Sequence, residues 1–169
     1  KDGDMDILAA NSKDNAIAWY ENDGSKSPNF NLIIITTNAE NIRKVAVGDI
    51  DNDGNIDIVS ASAEDDKIAW YKNDGSANPI FGEKVISTNA DGARSVFAAD
   101  VDNDGDVDIV SASFFDDKIA LYKNNGGANP TFTEEVVSTN ADGANSIFAA
   151  DVDNDGDVDL ISASVYDDK

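Results

Sequence analysis

A nine-residue acidic segment, D-x-D-x-D-G-x-x-D, recurs at a fixed spacing of 51 residues, and that period constrains the fold more than any other feature. The copies run from Asp49 to Asp57, from Asp100 to Asp108 and from Asp151 to Asp159; the end of a further copy, Asp2-Gly3-Asp4-Met5-Asp6, opens the chain. A repeat of this kind is one supersecondary unit that buries its apolar face only against its neighbours. Residues 88–113 and 139–164 match at 22 of 26 positions, so each unit packs against near-copies of itself. The period is about the length of one four-stranded propeller blade.

Each unit reads as four short strands. In the best-defined unit a strand over 95–99 runs into the acidic loop. Residues 108–113 are largely apolar and small, as suits a strand buried on both faces. A tight acidic turn, Asp116-Asp117, precedes a strand over 118–123. Asn124-Asn125-Gly126-Gly127 predicts a hairpin, as do its counterparts Asn73-Asp74-Gly75 and Asn22-Asp23-Gly24. The last strand, 132–138, alternates and carries charge, which suits an outer edge. No stretch has a helical period. A β-sandwich would show similar short strands but no fixed repeat, and a β-solenoid would have shorter coils. The expected fold is all-β: an arc of propeller blades from a larger propeller or assembly, with a partial blade over 1–37, blades over 43–88 and 94–139, and a partial blade over 145–169. The chain starts in mid-repeat and reads as a piece of a longer secreted protein. Cut blade edges in such a piece would expose strands and invite self-association.

Charge directs attention to the loops. The chain has 34 acidic and 12 basic residues, a net charge of −22, and half of its acids lie in the acidic segments. Convergence of several carboxylates in one small volume is costly unless a cation sits among them. Disorder is excluded by a 41% apolar content set in ordered strand patterns. Nucleic acid and anionic membrane surfaces are poor partners at this charge. There is no cysteine and no histidine, which excludes thiolate or imidazole zinc sites, disulfides and histidine-based catalysis. No apolar run approaches the ~20 residues of a membrane-spanning helix.

Within each loop, positions 1, 3, 5 and 9 offer side-chain carboxylates. These are Asp49, Asp51, Asp53 and Asp57; Asp100, Asp102, Asp104 and Asp108; and Asp151, Asp153, Asp155 and Asp159. Position 7 varies (Asn55, Asp106, Asp157) and is expected to contribute its backbone oxygen. Position 6 is always glycine, as a sharp turn at positive φ requires, and apolar position 8 is expected to anchor the loop to the core. An all-oxygen, charged donor set favours calcium over zinc or copper, so the expected cofactor is Ca2+ at about three sites. Magnesium prefers a smaller octahedral shell with retained water. Asp2, Asp4 and Asp6 form a partial site that lacks its first ligands. An EF-hand also begins D-x-D-x-D-G, but it needs Glu at position 12 and flanking helices. Here that position is Ser60, Ser111 or Ser162 and both flanks read as strands. Loops of this kind fill best where calcium is millimolar, which points to an extracellular or cell-surface location.

The acidic loop between two strands, followed by a small-residue strand and then I-A-W-Y-x-N-D-G, resembles the FG-GAP/VCBS-type repeat. It is similar to the calcium-binding blades of the integrin α-subunit propeller. The resemblance covers essentially the whole chain. It implies a β-propeller with calcium between the first two strands of a blade, and it carries over Asp49, Asp51, Asp53, Asp57 and their counterparts as ligands.

Antiparallel strands place the acidic loops and the Asn-Gly turns at one end of each blade. At the other end the repeats differ most, and there Phe114, Phe115, Arg94 and Tyr166 form a candidate ligand face. Trp19 and Trp70 occupy a position that is Leu121 in the next unit, which favours packing between blades over sugar stacking. The leading functional expectation is a non-catalytic adhesion or ligand-binding scaffold for an extracellular protein or glycan. The alternatives are a carbohydrate-binding module, the propeller of a polysaccharide-degrading enzyme, and a structural component of a secreted matrix or filament. Repetition of the acidic loops argues against catalysis, since an active site is normally unique.

Overall fold

The computed structural model describes residues 3–166. The sequence lays down strands in the order outer part of one blade, two full blades, inner part of another. Strands β1 (Ile7–Asn11), β2 (Ala16–Asn22) and β3 (Phe30–Thr36) form the first sheet. The second holds β4 (Ile42–Gly48), β5 (Asp57–Ser62), β6 (Lys67–Asn73) and β7 (Phe81–Ser87). The third holds β8 (Ala93–Ala99), β9 (Asp108–Ser113), β10 (Lys118–Asn124) and β11 (Phe132–Ser138), and the fourth β12 (Ala144–Ala150) and β13 (Asp159–Ser164). Every pairing is antiparallel between strands adjacent in sequence. These are propeller blades set side by side as an open arc; no sheet closes on itself, and the described residues include no helix.

The residue types explain each strand's place. β5 and β9 share the sequence DIVSAS and are buried at every residue, because small side chains let neighbouring blades close on both faces. The outer strands β7 and β11 carry charged residues on their exposed positions. Alternation then sends successive aromatic residues to opposite interfaces. Trp70 joins the core between the second and third sheets with Ile50, Val59, Val96 and Ile109. Its neighbour Tyr71 joins the core between the first and second sheets with Ile17, Ile42 and Ile58. The Trp70 ring meets the edge of Phe132 on the next outer strand at 6.3 Å between centroids, and Trp19 meets Phe81 in the same way at 6.3 Å. Packing, and not an exposed sugar platform, is therefore what Trp70 does: it is fully buried.

A buried cation recurs with the repeat. Lys67 Nζ donates to the Asn38 carbonyl of the preceding interblade loop at 2.6 Å and pairs with Asp65 and Glu83, each at 3.0 Å. Lys118 repeats this with Asn89 O at 2.5 Å and with Asp116 and Glu134, each at 3.2 Å. Burial works against the charged form of both lysines, but the paired carboxylates outweigh it and hold each pKa above its ordinary value. The lysine thus joins three elements of adjacent blades at one point.

The hairpins after β2, β6 and β10 are wider than a two-residue turn. Asp74 N donates to Ile80 O at 3.1 Å, and the Asp74 carboxylate accepts from Ser76 N and Ile80 N, each at 3.0 Å. The Asn-Asp-Gly signal therefore closes a loop through an aspartate side chain instead of a backbone turn alone.

Candidate metal centre and the opposite end

Each acidic loop connects the two inner strands of a blade: β4 to β5, β8 to β9, and β12 to β13. Its curl comes from side chain to backbone bonds within the motif. The position 1 carboxylate, Asp49, accepts from Asp53 N at 3.0 Å and Gly54 N at 2.8 Å. Asp100 does the same with Asp104 N at 3.1 Å and Gly105 N at 2.9 Å. Gly54, Gly105 and Gly156 have φ of 80°, 94° and 98°, the left-handed region expected of position 6. Position 4 is also left-handed: Asn52, Asn103 and Asn154 have φ of 55°, 58° and 62°. Asparagine tolerates that region better than most residues, so the invariant asparagine was a readable signal that motif spacing alone did not disclose.

The carboxylates converge as follows. Oxygens of Asp49, Asp51 and Asp53 lie within 4.8 Å of one another, as do those of Asp100, Asp102 and Asp108, and of Asp151, Asp153 and Asp159. Asp57 and Asp108 also close the base of the loop. Asp108 Oδ2 accepts from Val101 N at 3.1 Å and its Oδ1 from Asn124 N at 2.8 Å. Asp57 accepts from Ile50 N at 3.2 Å and Asn73 N at 2.7 Å. Both are fully buried, and burial pushes both carboxyls above the ordinary range despite those bonds. Asp155 and Asp104 instead pin position 7, accepting from Asp157 N and Asp106 N, each at 2.9 Å. Asp53 binds Asn55 N likewise at 2.8 Å.

The donor set fits a hard divalent cation. It is made only of oxygens, it carries several negative charges, and Asp51 Oδ1 is buried without a hydrogen-bond partner among the described residues. Lys72, which the sequence reading passed over, reaches this cluster and pairs with Asp51 and with Asp53, the latter at 3.1 Å. Its counterpart Lys123 stands 3.7 Å from Asp102. In the opening copy, Asp6 accepts from Asn22 N at 2.8 Å, as Asp57 does from Asn73, while Asp2 lies outside the described residues. The Asp4 side chain lies against Gly24, at the place that Asn55 and Asp106 occupy against Gly75 and Gly126. The side chain of position 7 therefore packs on the neighbouring hairpin loop, which leaves its backbone oxygen as the ligand candidate.

The expectation for position 8 needs correction in the first loop. Ile56 is 56% exposed, whereas Val107 packs into the core between the second and third sheets. Position 8 faces the preceding sheet, and among the described residues the first sheet has no counterpart of β4 for Ile56 to meet. The deeper anchor is position 2, which faces the following sheet: Ile50 is fully buried.

Replacing Asp108 by Ala is expected to destabilise the chain by about 1–3 kcal/mol even without added cation, because two backbone N–H groups lose their acceptor. Asp108→Asn keeps one acceptor oxygen and is expected to cost less. Urea denaturation in chelator checks this; equal losses for the two variants would contradict a capping role.

At the other end of the blades the four face residues meet. The Arg94 guanidinium lies over the Phe114 ring at 4.2 Å. Phe114 contacts Phe115 at 5.3 Å and Tyr166 at 5.7 Å between centroids, both edge-on. Backbone bonds clamp these tips to the interblade loops: Phe114 N to Gly92 O, Phe115 N to Asp91 O, and Tyr166 N to Asp142 O, each at 3.1 Å. Gly92 is required there, since a Cβ would stand 2.5 Å from the Phe115 ring. Phe115 and Tyr166 are each 65% exposed, and Arg94 Nε is buried without a hydrogen-bond partner among the described residues. Burial and the neighbouring Arg43 lower the Arg94 pKa.

Comparison with known families agrees with this geometry. The family described as FG-GAP-like repeat matches three times, over residues 1–60, 49–111 and 100–162. The chain belongs to the FG-GAP-like repeat family. No curated protein matched the chain. Among the described residues no helix is long and apolar enough to cross a membrane.

Proposed function

We propose that the chain is a calcium-stabilised module that serves outside the cell as a non-catalytic binding or adhesion scaffold. The observation that carries this reading is a separation of roles between the ends of the blades. The repeated, closely similar acidic loops occupy one end, and the residues that vary between repeats gather as an exposed aromatic and basic cluster at the other. Bound calcium would supply the positive charge that offsets the clustered carboxylates. The side chains of Asp49, Asp51 and Asp53, of Asp100, Asp102 and Asp108, and of Asp151, Asp153 and Asp159 would hold it, while Asp57 and Asp108 also tie the base of the loop to the ends of β6 and β10. A stiff arc then presents Phe115 and Tyr166 in a set geometry to an extracellular protein or glycan. The same acidic unit serves in every repeat, which supports a structural cation over a unique catalytic one.

The test is a binding screen of the calcium-loaded chain on arrays of extracellular proteins and glycans. Binding is expected to be lost in a Phe115→Ala, Tyr166→Ala double variant that keeps the wild-type melt. A screen without any binder, or a binder indifferent to both substitutions, would count against the scaffold reading.

A further inference from the structure

The left-handed asparagine at position 4 shapes its own loop through its backbone, but its side chain reaches into the next one. Asn52 Nδ2 donates to Asp106 Oδ1 at 2.8 Å and to Gly105 O at 3.4 Å, both in the acidic loop of the next blade. Asn103 repeats the bridge one blade on, to Asp157 Oδ1 and Gly156 O, each at 3.3 Å. Each bridge grips positions 6 and 7 of the following loop, the glycine at positive φ and the residue whose carbonyl is the candidate ligand. A second link runs through the buried interior. Asn124 Nδ2 donates to Ile50 O at 2.8 Å and to Val107 O at 3.0 Å, and its Oδ1 accepts from Gly126 N at 2.9 Å. One amide thus uses both of its N–H donors to join position 2 of the first loop to position 8 of the second. Each of its polar atoms has a partner, as a buried polar side chain requires.

We propose that neighbouring cation loops are coupled in one direction along the chain: Asn52 is a positioning residue for the loop Asp100–Asp108, and Asn103 for the loop Asp151–Asp159. The inference rests on the calcium reading above. The physical argument is preorganisation. A loop that must fold its position 6–7 segment around the ion spends part of the binding free energy on ordering. An amide clamped from the preceding blade has already ordered that segment. It also donates to the position 7 carboxylate, which keeps that side chain on the outside of the loop. Adjacent aspartates do not by themselves produce such an effect, because the carboxylate spacing is the same in each loop whereas the clamp comes from a different blade.

Three reporters make the test specific to each loop. The amides of Gly54, Gly105 and Gly156 each donate to the position 1 carboxylate of their own loop, so their NMR shifts follow cation binding there. Calcium is titrated into the wild-type chain and into Asn52→Gly and Asn103→Gly. Glycine keeps the positive φ and removes only the amide. In Asn52→Gly, calcium affinity at Gly105 is expected to fall about tenfold, the worth of one charge-assisted hydrogen bond, with Gly54 changing less than about twofold. In Asn103→Gly the loss is expected at Gly156. Loss confined to the mutated loop, equal loss at all three, or no loss would each overturn the coupling. A wild-type chain whose three glycine amides ignore calcium would overturn the calcium reading itself, a result distinct from any of these.

Discussion

Removing calcium is expected to lower the melting temperature of the chain substantially. A ligand that binds only the folded state stabilises it by RT ln(1 + [L]/Kd), about 2.7 kcal/mol per site at a hundredfold excess over Kd. Loops of this oxygen-rich type outside the cell bind calcium with Kd on the order of 10⁻⁴–10⁻³ M, so excess calcium means tens of millimolar. A domain of this size shifts by about 2–4 °C per kcal/mol, which makes emptying even one loop worth roughly 5–10 °C. The structural reason is local. Asp57 and Asp108 are buried, with carboxyls pushed upward by desolvation, and the acidic loops tie the paired inner strands β4–β5 and β8–β9 together. Calorimetry with calcium, with magnesium and with chelator checks the expectation. Coincident melts in calcium and chelator would remove the structural role of the ion.

The second large effect is expected at Trp70. Truncation to Ala leaves a cavity between the second and third sheets and removes the edge contact with Phe132, at a cost of about 3–5 kcal/mol. Trp70→Leu is expected to cost clearly less, because Leu121 fills the matching position one blade on. Trp19→Ala should also cost less, since Trp19 is only half-buried. Equilibrium unfolding in guanidinium orders the three variants. A Leu variant as damaging as the Ala variant would mean that the interface demands the indole shape and not merely apolar volume.

Much of the blade was legible in advance because local rules and packing agree. The strand read over 108–113 is β9 to the residue, since a run of mostly small or apolar side chains suits a strand covered on both faces. The strand read over 95–99 begins two residues earlier in β8, where Ala93 pairs with Ser113 and Arg94 is bulged out of register, which periodicity cannot reveal. The hairpin signal at Asn73-Asp74-Gly75 was sound as a reversal but not as a turn type, because an aspartate side chain closes the loop. Position 8 was read as one kind of residue and turned out to depend on what stands on its preceding side, as Ile56 and Val107 show.

By itself the sequence determined the repeat, the order of strands, the positive-φ glycines and the carboxylates offered to a cation. Apart from the 51-residue period itself, each follows from covalent spacing within about ten residues, where backbone geometry and side-chain chemistry act without help from distant segments. Only the tertiary structure decided which residues reach across to a neighbouring blade. Asn52 and Asp106 are 54 residues apart, Asn124 and Ile50 are 74 apart, and Lys67 meets Asn38 across an interblade loop. Such pairings depend on the angle and offset at which one sheet packs on the next. That geometry is set by the summed shape of many buried side chains, Trp70, Tyr71 and Ile50 among them, and no local motif encodes it.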